Sequence, residues 1–253
     1  MKIIVIILLV GSPIFAAEPQ PKTPETAVPM EMPATSFEED VDDAWDKIRR
    51  LLLESKRDKY GKEINRALAR HDATAAQSAL DGLIKDFPEV LKQQPFAIKY
   101  HQGNIAFWKR DFRTAYSELN LLVTTLERKY PNGIPAGKYA ETNTSFMSDA
   151  YFGRGATQMQ LGRYLEAVSD MDKAQSLVLP KYSTIKAYIP LNKCRALIKL
   201  KNYNAAAEAF GLAYKLNPLV AEKAEDKDYI CGSLAKNGLR PKPCPGSGVS
   251  PLK

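Results

Sequence analysis

In GATQMQLGRYLEAVSDMDKA, residues 155–174, small and aromatic residues recur by position. The stretch carries no nucleophile with a base beside it, no phosphate loop and no metal-ligand spacing. Apolar periodicity predicts two amphipathic helices, residues 148–160 and 164–177, split by the turn Gly162-Arg163. Counted from Gly155, Tyr164 falls at +9, Ala167 at +12, Met171 at +16 and Ala174 at +19. From Cys194 the same steps reach Tyr203, Ala206, Phe210 and Ala213, and from Gly103 they reach Phe112, Ala115, Leu119 and Leu122. Upstream, RHDATAAQSALDGLIKDFP, residues 70–88, sets Ala76, Leu80, Leu83 and Pro88 at matching steps. There the anchor is Ile64, where a small residue belongs.

Two helices cross closely only where side chains are small, so Gly103, Gly155 and Ala167 are read as points of backbone approach. The aromatic after the turn fills the space toward the neighbouring unit. A pair of helices cannot bury its apolar face alone, so the units must stack on one another. On these residues the chain resembles the tetratricopeptide-repeat (TPR) family, whose unit is a helix–turn–helix of about 34 residues. The resemblance implies an all-α, TPR-type α-solenoid of antiparallel helix pairs. Three clear repeats at about 96–130, 148–180 and 187–218 and one degenerate repeat at about 57–90 carry it, with Pro180 and Pro218 closing second helices.

The two ends read differently. Residues 1–17, MKIIVIILLVGSPIFAA, follow the layout of a secretory signal peptide, and the apolar run falls short of a membrane span. Residues 18–36 hold five prolines and are predicted to be a linker, and residues 239–253 form a Pro-rich tail. Between them, residues 37–238 make one helical domain. Ser36 with Glu39 opens it as a capping box, and Phe37, Val41, Trp45, Ile48 and Leu52 share one helical stripe. This predicts a long helix bent near Gly61, or a coiled-coil arm. PLVAEKAEDKDYICGSLAKNG, residues 218–238, reads as one polar capping helix. The repeats are spaced widely enough to leave a long loop at residues 129–147, containing the glycosylation-type triplet Asn143-Thr144-Ser145.

The formal net charge of +7 is dispersed among acids rather than gathered into a stripe, which argues against a nucleic-acid partner. Cys194 takes the small-residue place of its repeat and reads as a packing residue. Cys231 and Cys244 are expected to pair in an oxidising compartment, and zinc would need more ligands than these two supply. His71 and His101 are far apart in sequence. No catalytic residues, metal or cofactor are expected.

In TPR proteins the first helices line a concave groove for peptides, and the family's groove-facing steps fall at −3, +1, +4 and +5. Carried onto this chain they give Tyr100, Asn104, Phe107 and Trp108; Phe152, Ala156, Met159 and Gln160; and Leu191, Arg195, Ile198 and Lys199. Asn104 matches one Asn of the family's carboxylate clamp, but Tyr100 stands where that clamp has Lys. The expected function is a non-catalytic adaptor for a protein or peptide partner, secreted and periplasmic, at the periphery of a cell envelope. A structural subunit of an envelope assembly and a module for cell-wall or other acidic polymer are the alternatives.

Overall fold

The computed structural model describes the backbone of residues 36–134, 140–178 and 183–246, and the side chains within 53–134, 144–178 and 186–246. The predicted signal peptide, most of the Pro-rich linker, the end of the tail and Pro180 lie outside the described residues. Among the described residues there is no strand. The helices are α1 (Ser36–Ala69), α2 (Ala73–Asp86), α3 (Val90–Gln93), α4 (Pro95–Trp108), α5 (Phe112–Lys129), α6 (Ala140–Gln160), α7 (Tyr164–Leu177), α8 (Ser183–Lys199), α9 (Tyr203–Leu216), α10 (Pro218–Glu222) and α11 (Lys227–Ala235). None of them is long and apolar enough to cross a membrane.

The helices pair in chain order, α1 with α2, α4 with α5, α6 with α7 and α8 with α9. The second helix of one pair packs on the first helix of the next, as α5 on α6 and α7 on α8. The stack follows from one turn built four times. His71, Arg110, Gly162 and Lys201 stand at the same step of their repeats, all with left-handed backbone (φ 60°, 63°, 76° and 59°). The next residue's N–H bonds back across the turn each time: Asp72 to Ala67, Arg163 to Gln158 and Asn202 to Leu197 at 2.9 Å, and Asp111 to Ala106 at 3.0 Å. This double closure satisfies the orphan carbonyls at a helix end. The same residue then starts the second helix. Asp72, Asp111 and Asn202 accept from the N–H groups of Ala75, Thr114 and Ala205 at 2.9, 3.1 and 3.4 Å. One turn therefore ends one helix and caps the next. The degenerate repeat shares this geometry, and Ile64 is fully buried in its core.

Small residues do what their spacing implies. A Cβ on Gly103 would meet Leu119 at 2.6 Å, and one on Gly155 would meet Met171 and Asp170 at 3.1 and 3.2 Å. The core runs the length of the stack. One cluster joins α1 and α2 to α4, a second spans α4 to α8, and a third fills α8 to α11. Trp108 packs on the first two, and Val168 and Tyr188 on the last two.

Two expectations are corrected. Residues 129–147 are not one long loop, because α6 begins at Ala140. Burial of Met147 and the Phe146–Tyr100 ring contact at 5.4 Å hold that first part of α6 against α4. Asn143 consequently falls within a helix. The C-terminal cap is two short helices rather than one. Pro218 sits in the first turn of α10, where a missing N–H costs nothing. The expected long helix is present, and α1 runs unbroken from Ser36 to Ala69 through Gly61.

Candidate functional site

The inner face of the stack is made by the first helices, α4, α6 and α8, which touch in sequence. The structure places the predicted contact residues in two groups. Tyr100, Asn104 and Phe107 on α4 and Phe152 and Met159 on α6 are buried. Tyr100 lies edge-on to Phe146, and Phe107 edge-on to Trp108 and Phe112 at 5.4 and 5.5 Å. Asn104 donates from Nδ2 to the Tyr100 carbonyl at 2.9 Å, a bond within its own helix. These five side chains form the joint between repeats and offer no open surface. The expectation that they line a groove is corrected. Tyr100, Phe107, Phe152 and Met159 pack into the core cluster that α4 to α8 share, so positions expected to be open become core.

At the C-terminal end the cap covers α8. Leu191 and Ile198 are buried in the cluster that includes Val220, Ile230 and Leu234. Arg195 is buried too, and its guanidinium is already engaged. Nε and Nη2 donate to the two carboxylate oxygens of Asp226 at 2.8 and 2.6 Å, and Nη1 donates to Asn192 at 2.9 Å. A two-pronged, charge-assisted pair of this kind is geometrically exacting. A residue expected to face the groove thus holds the chain's own Asp226. Cys231 bonds Cys244, fastening residues 239–246 to α11.

Trp108, Gln160 and Lys199 remain open at least in part. They stand at the same step, +5 from their anchors, at the ends of three successive first helices. Trp108 stacks on His71 of the preceding turn, ring centres 3.8 Å apart and 19° from parallel. Lys199 Nζ lies 5.6 Å from the centre of the Tyr229 ring. Beside this row the turns expose basic side chains: Lys109, Arg110, Arg163 and Lys201. Arg163 lies 4.6 Å over the Tyr116 ring. The accessible strip is aromatic at its N-terminal end and cationic beyond.

Sequence reasoning missed the polar interior. Arg154 on α6 is held by Asp170 on α7 through two bonds of 2.7 Å and reaches Asn120 on α5 at 3.0 Å. Glu127 on α5 accepts from the Tyr151 hydroxyl at 2.7 Å and from Lys173 at 3.1 Å. These bonds fix the register of α5 against the next pair. His101 is buried with Nδ1 unpartnered among the described residues, and burial pushes its imidazole down to about 4. Asp149, partly buried on α6, is desolvated enough to be pushed up to about 7. Burial raises the Tyr100 hydroxyl well above its usual range, with the Asp149 charge adding to it. Charge period on one helix gave no sign of these groups, because their partners lie on other helices.

Cys194 is fully buried and its thiol is pushed up to about 12 by burial, so it is a packing group rather than a nucleophile. Among the described residues, no three His, Cys, Asp or Glu side chains come together to hold a metal ion.

No curated protein and no solved structure matches the chain. The family profile described as Tetratricopeptide repeat matches residues 148–177, which are the inner part of α6 and the whole of α7. Repeats of this family are generally non-catalytic and mediate contacts between proteins. With the matched pair flanked by pairs that share its turn and its packing steps, the chain is a tetratricopeptide-repeat-containing protein with an all-α solenoid fold.

Proposed function

We propose that the protein is a non-catalytic adaptor of the cell envelope that binds a protein or peptide with an acidic segment followed by an apolar one. One observation carries the reading. Of the predicted contact residues, the three left open share one register position, so Trp108, Gln160 and Lys199 form a single row flanked by the basic turns. A rigid aromatic supplies contact area at low entropic cost, and a cationic edge speeds and orients encounter with an acidic ligand. The location is supported by the signal-like residues 1–17 and by the Cys231–Cys244 bond, since such bonds persist in oxidising compartments.

The test is site-specific photo-crosslinking in the native host. A crosslinker at Trp108, Gln160 or Lys199 is expected to capture one common protein. The same group at Leu121 or Leu212, exposed on second helices, is expected not to capture it. Replacing Arg110, Lys199 and Lys201 by Glu should abolish the salt sensitivity of capture while the helical melt is retained. Arg195 is unsuited to that experiment, because reversing its charge would break the Asp226 pair and unseat the cap. Capture that is equal from both faces would sink the inner-face assignment.

A further inference from the structure

The first repeat has an open edge that every later repeat has covered. In later repeats one face of the helix pair receives the preceding second helix. Tyr151 and Arg154 bond to α5, Lys193 to Asp172 of α7, and Lys109 to Gln77 of α2 at 3.0 Å. In the fourth repeat this face, built from Pro190, Lys193, Ala205, Ala209 and Leu212, leaves only a cleft of about 210 Å³ beside Met171 and Asp172 of α7. The corresponding steps in the first repeat are Tyr60, Glu63, Ala75, Ala79 and Gly82. They line an open groove of about 540 Å³ between α1 and α2. Its floor is small-residued: a Cβ on Gly82 would stand 2.7 Å from the Tyr60 ring. Among the described residues no helix of the chain lies in it.

The chain also carries a helix that lacks a neighbour. α2 ends at Asp86, which is paired with Lys56 at 2.9 Å and bonded by Tyr60 at 2.6 Å. α1 continues past that point for residues 36–55, about 30 Å of helix at 1.5 Å per residue. Leu53, just beyond the pairing, is 49% exposed. The sequence of this arm places Phe37, Val41, Trp45, Ile48 and Leu52 at helical spacing, and residues 36–46 contain six acids. The groove lining holds both signs, but Glu63 is paired with Lys59 at 3.9 Å and Asp72 accepts from the Ala75 N–H at the start of α2. Arg66 and Arg70 are exposed along it, and among the described residues neither makes an ion pair.

We infer that two copies of the chain pair through α1, the arm of each lying in the first-repeat groove of the other. The arm cannot fill its own groove, because it is continuous with the helix that forms one wall. In a second copy, running antiparallel with the two-fold centre near Leu53, it takes the place a preceding second helix holds in the other repeats. That register sets Asp40 beside Arg66 and the start of the arm beside Arg70. Such a two-fold contact is closed, so it stops at two copies. The inference does not rest on the adaptor reading, since the row at Trp108, Gln160 and Lys199 belongs to later repeats.

Sedimentation equilibrium of the purified full chain across the micromolar range is expected to show a monomer–dimer equilibrium that weakens with salt. Arg66→Glu with Arg70→Glu should weaken self-association about tenfold or more, as should Glu39→Lys with Asp40→Lys. Mixing the two variants should restore pairing, because each then offers the other a complementary arm and groove. A second measurement reports the geometry directly. Chains bearing Asp40→Cys and chains bearing Arg66→Cys, mixed under mild oxidation, should form a disulfide-linked pair. Cys194 is buried and Cys231 is bonded to Cys244, so no native thiol competes. A monomer at every concentration overturns the inference, whether residues 1–35 or another protein fills the groove. So does a dimer that is indifferent to both charge sets and yields no Asp40–Arg66 crosslink.

Discussion

Buried His101 and partly buried Asp149 tilt the acid side of the stability curve in opposite directions. The unfolded chain protonates His101 near 6.5, whereas the folded chain resists down to about 4. Its contribution is therefore complete above 6.5 and lost as pH falls toward 4, on the order of 3 kcal/mol at the acid limit. Asp149 runs the other way. Its folded carboxyl is raised to about 7 against 3.8, so its contribution is complete below 3.8 and lost as pH rises toward 7. The two slopes oppose each other between about 4 and 6.5, and the wild-type urea midpoint is expected to vary little there. Asp149→Asn should make stability rise with pH across that window, and His101→Gln should make it fall. Parallel slopes in the two variants would refute the assignment. Neither group was legible in the sequence as a titrating site, because a lone His and a lone Asp on a helix acquire meaning only from what covers them. The expected contact residues fared similarly: the step rule gave their positions, but whether Phe152 is wall or core depends on what the neighbouring helices place against it.

The second helix α7 spans the residues expected of it, Tyr164 to Leu177, and it follows a turn whose shape the sequence marks at only one of its four occurrences. Gly162 announces a left-handed residue, but His71, Arg110 and Lys201 occupy the same conformation without any such signal. In L-residues that conformation costs roughly 1–2 kcal/mol. Gly162→Ala is expected to lower stability by about 1 kcal/mol, and Lys201→Gly to raise it by several tenths, after the extra freedom of glycine in the unfolded chain is counted. Urea denaturation of both variants checks the pair, and changes of the same sign would show that the turns are not equivalent. The start of α6 was beyond reach for a related reason. ETNTSFM has weak helix propensity, and it is the burial of Met147 and the Phe146–Tyr100 contact that hold it helical.

Across the whole stack, the architecture was readable because each repeat states the same packing steps, and stacked neighbours need no long-range code. What covers the end of a stack has no such signature, which is why the C-terminal end of the inner face was read as open when the chain's own cap covers it. That cap has a testable consequence. α11 rests on α8 and α9, Arg195 is tied to Asp226, and the Cys231–Cys244 bond holds residues 239–246 against the last helix. Closing a loop of this size stabilises by about 3 kcal/mol in chain-entropy terms. In a solenoid that stabilisation is felt most by the neighbouring repeat, since each unit contacts only those beside it. Cys231→Ser with Cys244→Ser is therefore expected to raise amide hydrogen exchange in α8 through α11 while α4 through α7 keep their protection. Leu191 and Arg195, now covered, should become the first inner-face positions to exchange and to react with surface probes. Uniform loss of protection from α1 to α11 would mean that the repeats unfold as one unit, and an unchanged pattern would mean that α10 and α11 stay seated by their buried Ile230 and Leu234 alone.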